Sequence, residues 1–183
     1  MTSTSPRKVA LVTGASAGIG KSIVKRLLAE GWTVYGAARR VDQMKDIEAQ
    51  GAKVLALDVT DDATMQAGVR AILDEEGRLD ALVNNAGYGS YGAVEDVPIA
   101  EARRQFEVNV FGLVRLCQLV LPSMRAAKSG TIVNISSNGR THLDAGGRLV
   151  PRDETRAGGS LRCAARRDAT FRDPGRRRPA GRD

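Results

Sequence analysis

The chain has 183 residues, 42% of them apolar, and two cysteines, Cys117 and Cys163: enough for one domain with its own core, too few for a disulfide framework, and not at metal-ligand spacing. No apolar run approaches the roughly 20 residues that cross a bilayer, and Met1 to Lys8 lacks the apolar core of a leader, so a cytoplasmic location without a membrane partner is expected. The net charge of +7 is local, because residues 1–137 carry 16 Lys+Arg against 15 Asp+Glu, whereas residues 138–183 carry 12 Arg and no Lys against 6 acids.

In chain order, strands are predicted at Val9–Val12, Thr33–Ala37, Val54–Leu57, Leu79–Val83 and Thr131–Ile135. Helical stretches fall between them, near 18–30, 42–49, 62–76 and 101–127. This alternation implies an α/β domain with a parallel sheet, in the order 3-2-1-4-5, over residues 1–137. The last helix carries Phe106, Val110, Leu113, Val114, Cys117 and Leu121, an apolar surface broad enough to meet the sheet and a second partner such as another subunit. Pro122 is expected to kink or end that helix.

Between the first strand and the first helix lies Thr13-Gly14-Ala15-Ser16-Ala17-Gly18-Ile19-Gly20. Glycines at such a turn let the backbone approach a pyrophosphate, whose charge meets the free N–H groups and positive dipole of the helix start. The second strand ends in Ala38-Arg39-Arg40. A carboxylate there would bind the ribose hydroxyls of NAD and repel a 2′-phosphate. Its replacement by guanidinium groups favours NADP.

From Asn138 onward the pattern stops. The segment 138–183 lacks Ile, Met, Tyr, Trp and Lys, and is filled by Arg, Gly, Ala, Asp and Pro, so a low-complexity, disordered Arg-rich tail is expected.

Taken together, residues 7–137 resemble the short-chain dehydrogenase/reductase family. The resemblance rests on five elements in order: Thr13-Gly14…Gly18-Ile19-Gly20, Asp58-Val59, Asn84-Asn85-Ala86-Gly87, Asn109 in Asn109-Val110-Phe111-Gly112, and Ser137 in Asn134-Ile135-Ser136-Ser137. It implies a Rossmann-like doubly wound sheet, here truncated after the fifth strand. It also implies an NADP-dependent oxidoreductase moving a hydride between nicotinamide and a small alcohol or carbonyl, with intact family members forming homo-oligomers. By the same resemblance Ser137 would polarise the substrate oxygen and Asn109 would support a proton-relay water. Thr13, Gly14, Ser16, Gly18, Ile19, Gly20, Arg39, Arg40, Asp58, Val59, Asn85, Ala86 and Gly87 would hold the cofactor. Asn84 and Asn85 also suit a purely structural role, tying neighbouring strands together.

The family's Tyr-x-x-x-Lys pair is missing, since the last tyrosine is Tyr91 and the last lysine Lys128. His142, the only histidine, is read as incidental. A synonymous choice of codons for Leu149 to Glu154, read one nucleotide forward, yields Trp-Tyr-His-Ala-Thr-Lys, with Tyr at the place of Val150 and Lys at the place of Glu154. The tail is therefore read as a frameshifted translation, and the chain as an oxidoreductase by ancestry that is inactive, or nearly so, as written. Two alternatives stay open: a non-catalytic dinucleotide-binding module, and a nucleic-acid binder acting through Arg176-Arg177-Arg178. The latter has no aromatic stacking platform to support it.

Overall fold

The computed structural model describes residues 7–136 except positions 91 and 94, together with the backbone of 141–143 and 149–151. Five parallel strands form one sheet: β1 Val9–Thr13, β2 Thr33–Ala38, β3 Lys53–Ala56, β4 Ala81–Asn84 and β5 Thr131–Asn134. Their order is β3-β2-β1-β4-β5. The expected strands are thus all present, in the expected order, with ends shifted by one or two residues.

Every residue of β1 is buried. Covered on both faces, a central parallel strand reads as a continuous apolar run rather than an alternation. Val9 and Leu11 face a core built with Met65, Val69 and Ile72 of α3 (Asp62–Glu76) and Leu116, Val120 and Met124 of α5 (Gly112–Ala126). Val12 faces the other core, with Val24 of α1 (Gly18–Ala29), Met44, and Ile47 of the short α2 (Lys45–Glu48). The chain leaves β1 toward β2 and β3 on one side and returns to β4 and β5 on the other. The carboxyl ends of β1 and β4 therefore border the crevice at which open α/β sheets bind ligands.

The long helical stretch differs from expectation in its π turn and in its continuation past Pro122. It runs as α4 (Ile99–Phe106), a π-helical turn (Glu107–Phe111) and α5 without a break. Pro122 does not end it: the helix continues to Ala126, its two halves held by the buried Leu116, Val120 and Met124. Of the apolar surface, Phe106, Val110 and Val114 are exposed, as is Phe111, so only one stripe packs on the sheet. The reading that no apolar segment reaches membrane-spanning length also needs amending. Ile99–Ala126 spans 28 residues with a mean hydropathy of 1.2 in its most apolar window. Arg115 breaks the apolar run within that helix and pairs with Asp62 across α3 and α5 (Nε–Oδ1 2.6 Å).

A two-stranded antiparallel ribbon, β6 (Thr141–Leu143) with β7 (Leu149–Pro151), was not foreseen. It amends, at those six residues, the expectation of a tail without regular structure. The remainder of 138–183 lies outside the described residues, as does Ser137.

Candidate functional site

At the carboxyl ends of β1, β2, β3 and β4 opens a cleft of about 280 Å³. Of the residues expected to hold a cofactor, Thr13, Gly14, Ser16, Arg39, Arg40, Asp58, Val59, Ala86 and Gly87 line it. Gly18, Ile19, Gly20 and Asn85 do not. Gly18 opens α1 and Ile19 is 46% exposed, while Gly20 and Asn85 work behind the surface.

The floor is a knot of hydrogen bonds between β1 and β4. Thr13 is buried, and its Oγ1 accepts from the backbone N–H groups of Asn85 and Ala86, both at 3.0 Å. The Asn85 side-chain Nδ2 donates to the carbonyls of Thr13 (2.9 Å) and Gly14 (3.3 Å). One strand over, Asn84 Nδ2 donates to Asn134 Oδ1 at 3.0 Å and joins β4 to β5. The two asparagines therefore tie strands together, as the structural reading of them expected.

This knot explains two of the glycines. Gly14 has φ +65°, and a Cβ there would come within 2.9 Å of both Ala86 Cα and Asn85 Nδ2. A Cβ on Gly20 would collide with Asn85 Nδ2 and the Gly14 carbonyl oxygen. Only glycine lets α1 start this close to the strand ends. The N-cap of α1, Ala17, offers no side-chain acceptor, and its first turn holds no acid. Its leading N–H groups thus meet no capping side chain, which suits an anion.

The second strand's end is fixed to this floor by Ala15 N–H donating to the Ala37 carbonyl (3.1 Å), which sets where Arg39 and Arg40 emerge. Asp58 is held in its own turn: Oδ1 accepts from Thr60 N (2.9 Å) and Thr60 Oγ1 (2.8 Å). No group of three or more His, Cys, Asp or Glu residues capable of holding a metal occurs among the described residues.

Asn109, expected to support a relay water, is fixed by its side chain to the loop after β4. It sits in the π turn, and both ends of its side-chain amide are engaged on Tyr88. Oδ1 accepts from the Tyr88 N–H at 3.0 Å, and Nδ2 donates to the Tyr88 carbonyl at 2.7 Å. Its side chain is a clamp on the loop after β4. Cys117 is half-buried beside Asn84, and burial pushes its thiol pKa up.

The lining residues that escaped the sequence reading include Tyr88 from the loop after β4, and Glu101 and Arg104 from α4. Burial, followed by a hydrogen bond to Glu101, raises the pKa of the Tyr88 phenol. Glu101 and Arg104 stand three residues apart and so share a helix face. Nothing in the sequence says that this face overlooks the ends of β2 and β3.

The short chain dehydrogenase family model matches residues 8–145, eight positions beyond the expected limit of the resemblance. The 3-ketodihydrosphingosine reductase of Bacteroides thetaiotaomicron is 40% identical over 132 residues, 72% of this chain and 48% of the relative. Among solved structures, a short-chain dehydrogenase from Streptomyces avermitilis aligns with a TM-score of 0.70 at 45% identity, covering 73% of this chain and 50% of that one. A metagenomic short-chain oxidoreductase in complex with NADP aligns with a TM-score of 0.68 at 36% identity, covering 78% and 67%. The chain spans about half the length of the curated relatives it matches.

Proposed function

The chain belongs to the short-chain dehydrogenase family, and from that premise we propose that it is the cofactor-binding part of an NADP-dependent oxidoreductase acting on an alcohol or carbonyl, catalytically impaired as written. The observation that carries this reading is the cleft itself. Its floor admits no Cβ at Gly14 or Gly20, its helix start has no side-chain cap, and its far wall carries Arg39 and Arg40 where an acid would select NAD.

The residues present fit a dinucleotide with a 2′-phosphate. Gly14, Ser16 and the first turn of α1 would hold the pyrophosphate, and Arg39 and Arg40 the 2′-phosphate. Asp58 and Val59 would border the adenine, with Ala86 and Gly87 closing the floor beneath the ribose. When bound, the nicotinamide gives or accepts the hydride. The protein's part is to orient that ring and to manage one proton at the substrate oxygen. Ser137, by family register, polarises that oxygen. A tyrosine with a lysine four residues on would move the proton, and this chain has neither after Lys128. General acid–base catalysis typically contributes 10²–10⁴-fold, roughly the size of the expected deficit. The relative named as a 3-ketodihydrosphingosine reductase and the NADP-bound structure support the ketone class and the phosphorylated cofactor.

The same absence favours, as a second reading, a dinucleotide-binding module without chemistry. Turnover separates the two. The chain as written should bind NADPH and reduce a ketone panel at a rate near background. A frame-repaired chain, with Tyr and Lys at the places of Val150 and Glu154 and the segment around them restored, should turn over. An unrepaired chain whose activity is abolished by Ser137→Ala contradicts the missing-donor account. A repaired chain that binds NADPH and stays inactive removes the frameshift explanation and leaves the binding module.

A further inference from the structure

We propose that Arg104, on α4, is a specificity residue of the same cleft. With Arg39 and Arg40 it forms a three-guanidinium seat for a phosphate monoester, the 2′-phosphate of NADP. The inference rests on the dinucleotide reading above and extends it to an element that the cofactor motifs do not include.

All three arginines line one cleft, Arg39 and Arg40 from the end of β2 and Arg104 from α4. Salt bridges among the described residues use Lys21, Lys25, Arg26, Lys53, Arg78 and Arg115, and none of these bridges involves Arg39, Arg40 or Arg104. Three unpaired guanidinium groups around a common space repel one another, and an anion between them relieves that repulsion.

Two acids, Asp58 and Glu101, line the same cleft, and neither pairs with these arginines. Glu101 lies one turn before Arg104 and is its natural helix-surface partner. It makes no salt bridge with Arg104 among the described residues, and its charge acts on the Tyr88 phenol, whose pKa burial and then this charge raise. The Tyr88 backbone is held by the Asn109 amide at 3.0 and 2.7 Å. Asp58 Oδ1 is taken by Thr60. Arg39 and Arg104 also both act electrostatically on the Tyr88 hydroxyl, which brings charges from β2 and from α4 to bear on one point of the cleft. Positive groups left without partners, beside an Asp58 carboxylate already bonded to neutral donors, describe a wall prepared for an external anion. The pyrophosphate is provided for by the backbone at Gly14 and α1, so the arginine wall is available to the additional phosphate that distinguishes NADP from NAD.

The test is equilibrium titration of the full chain and its variants with NADPH and with NADH, read by nucleotide fluorescence. Arg104→Ala should weaken NADPH roughly five- to tenfold at low salt while changing NADH by less than about twofold, with the difference shrinking as salt rises. Arg104→Lys should recover part of the loss, since it keeps the charge but not the planar fork. A thermal melt unchanged from the parent confirms that each variant is folded. Arg39→Ala, measured alongside, separates the two claims. If Arg39→Ala lowers NADPH binding selectively and Arg104→Ala does not, the role of Arg104 is overturned and the NADP reading stands. If neither variant is selective, or the parent binds no NADPH, both fall. An equal loss of NADPH and NADH in Arg104→Ala also overturns the proposal.

Discussion

Replacing Thr13 by valine tests the floor of the cleft. The change is nearly isosteric, so packing is preserved and only the hydroxyl is lost. Thr13 Oγ1 accepts the N–H groups of Asn85 and Ala86, each at 3.0 Å, and Thr13 is 1% exposed. A buried donor left without an acceptor costs about 1–3 kcal/mol, and both donors belong to half-buried residues, so Thr13→Val should cost about 2–4 kcal/mol. With a urea dependence of about 2 kcal/mol per molar, the unfolding midpoint should fall by roughly 1–2 M. Thr13→Ser keeps the acceptor and deletes one methyl group, at a cost of about 0.5–1.5 kcal/mol. Urea unfolding followed by far-UV circular dichroism measures both. If valine proves as mild as serine, the hydroxyl does not hold β1 and β4 together and this account of the floor is wrong.

Gly20→Ala should destabilise the chain and weaken NADPH and NADH binding together, because the new Cβ meets Asn85 Nδ2 and the Gly14 carbonyl; paired melts and titrations check it. Asn109→Asp cannot donate to the Tyr88 carbonyl and should loosen the loop after β4, seen as faster amide exchange at Tyr88. Asp80 accepts from Val9 N at 2.8 Å and pairs with Arg78. Burial alone would raise its pKa, but the Arg78 guanidinium and the Val9 N–H outweigh it and the net direction is down. A carboxyl with a depressed folded pKa stabilises above its unfolded value, about 3.9, and that contribution is lost as pH falls through the folded value. Asp80→Asn should therefore lower stability at pH 7 and flatten the acid limb of a stability–pH curve below about pH 4.

Much of the scaffold was legible because its causes are local. β1 is covered on both faces, so Val9 to Val12 appear as one apolar run, and Arg39 and Arg40 stand out because an acid is missing beside them. The chemistry of Asn84 and Asn85 was legible only as two alternatives, and their hydrogen-bond partners at Asn134 and Thr13 establish a strand-tying role. Other features depend on tertiary packing. Pro122 looks like a helix stop in isolation, yet the flanking Val120 and Met124 are buried against the sheet and carry the helix past it. The π turn at Glu107–Phe111 has no sequence signature, and it sets where Asn109 projects. Glu101 and Arg104 read as an ordinary charged face until the direction of α4 over the cleft is known.

The central claim is that this chain retains an NADP-selective dinucleotide site. Titrating the full chain with NADPH and NADH side by side at low salt tests it most directly. The account predicts that NADPH binds more tightly, and that Arg39→Asp moves the preference toward NADH. Equal or tighter binding of NADH by the parent chain would contradict it.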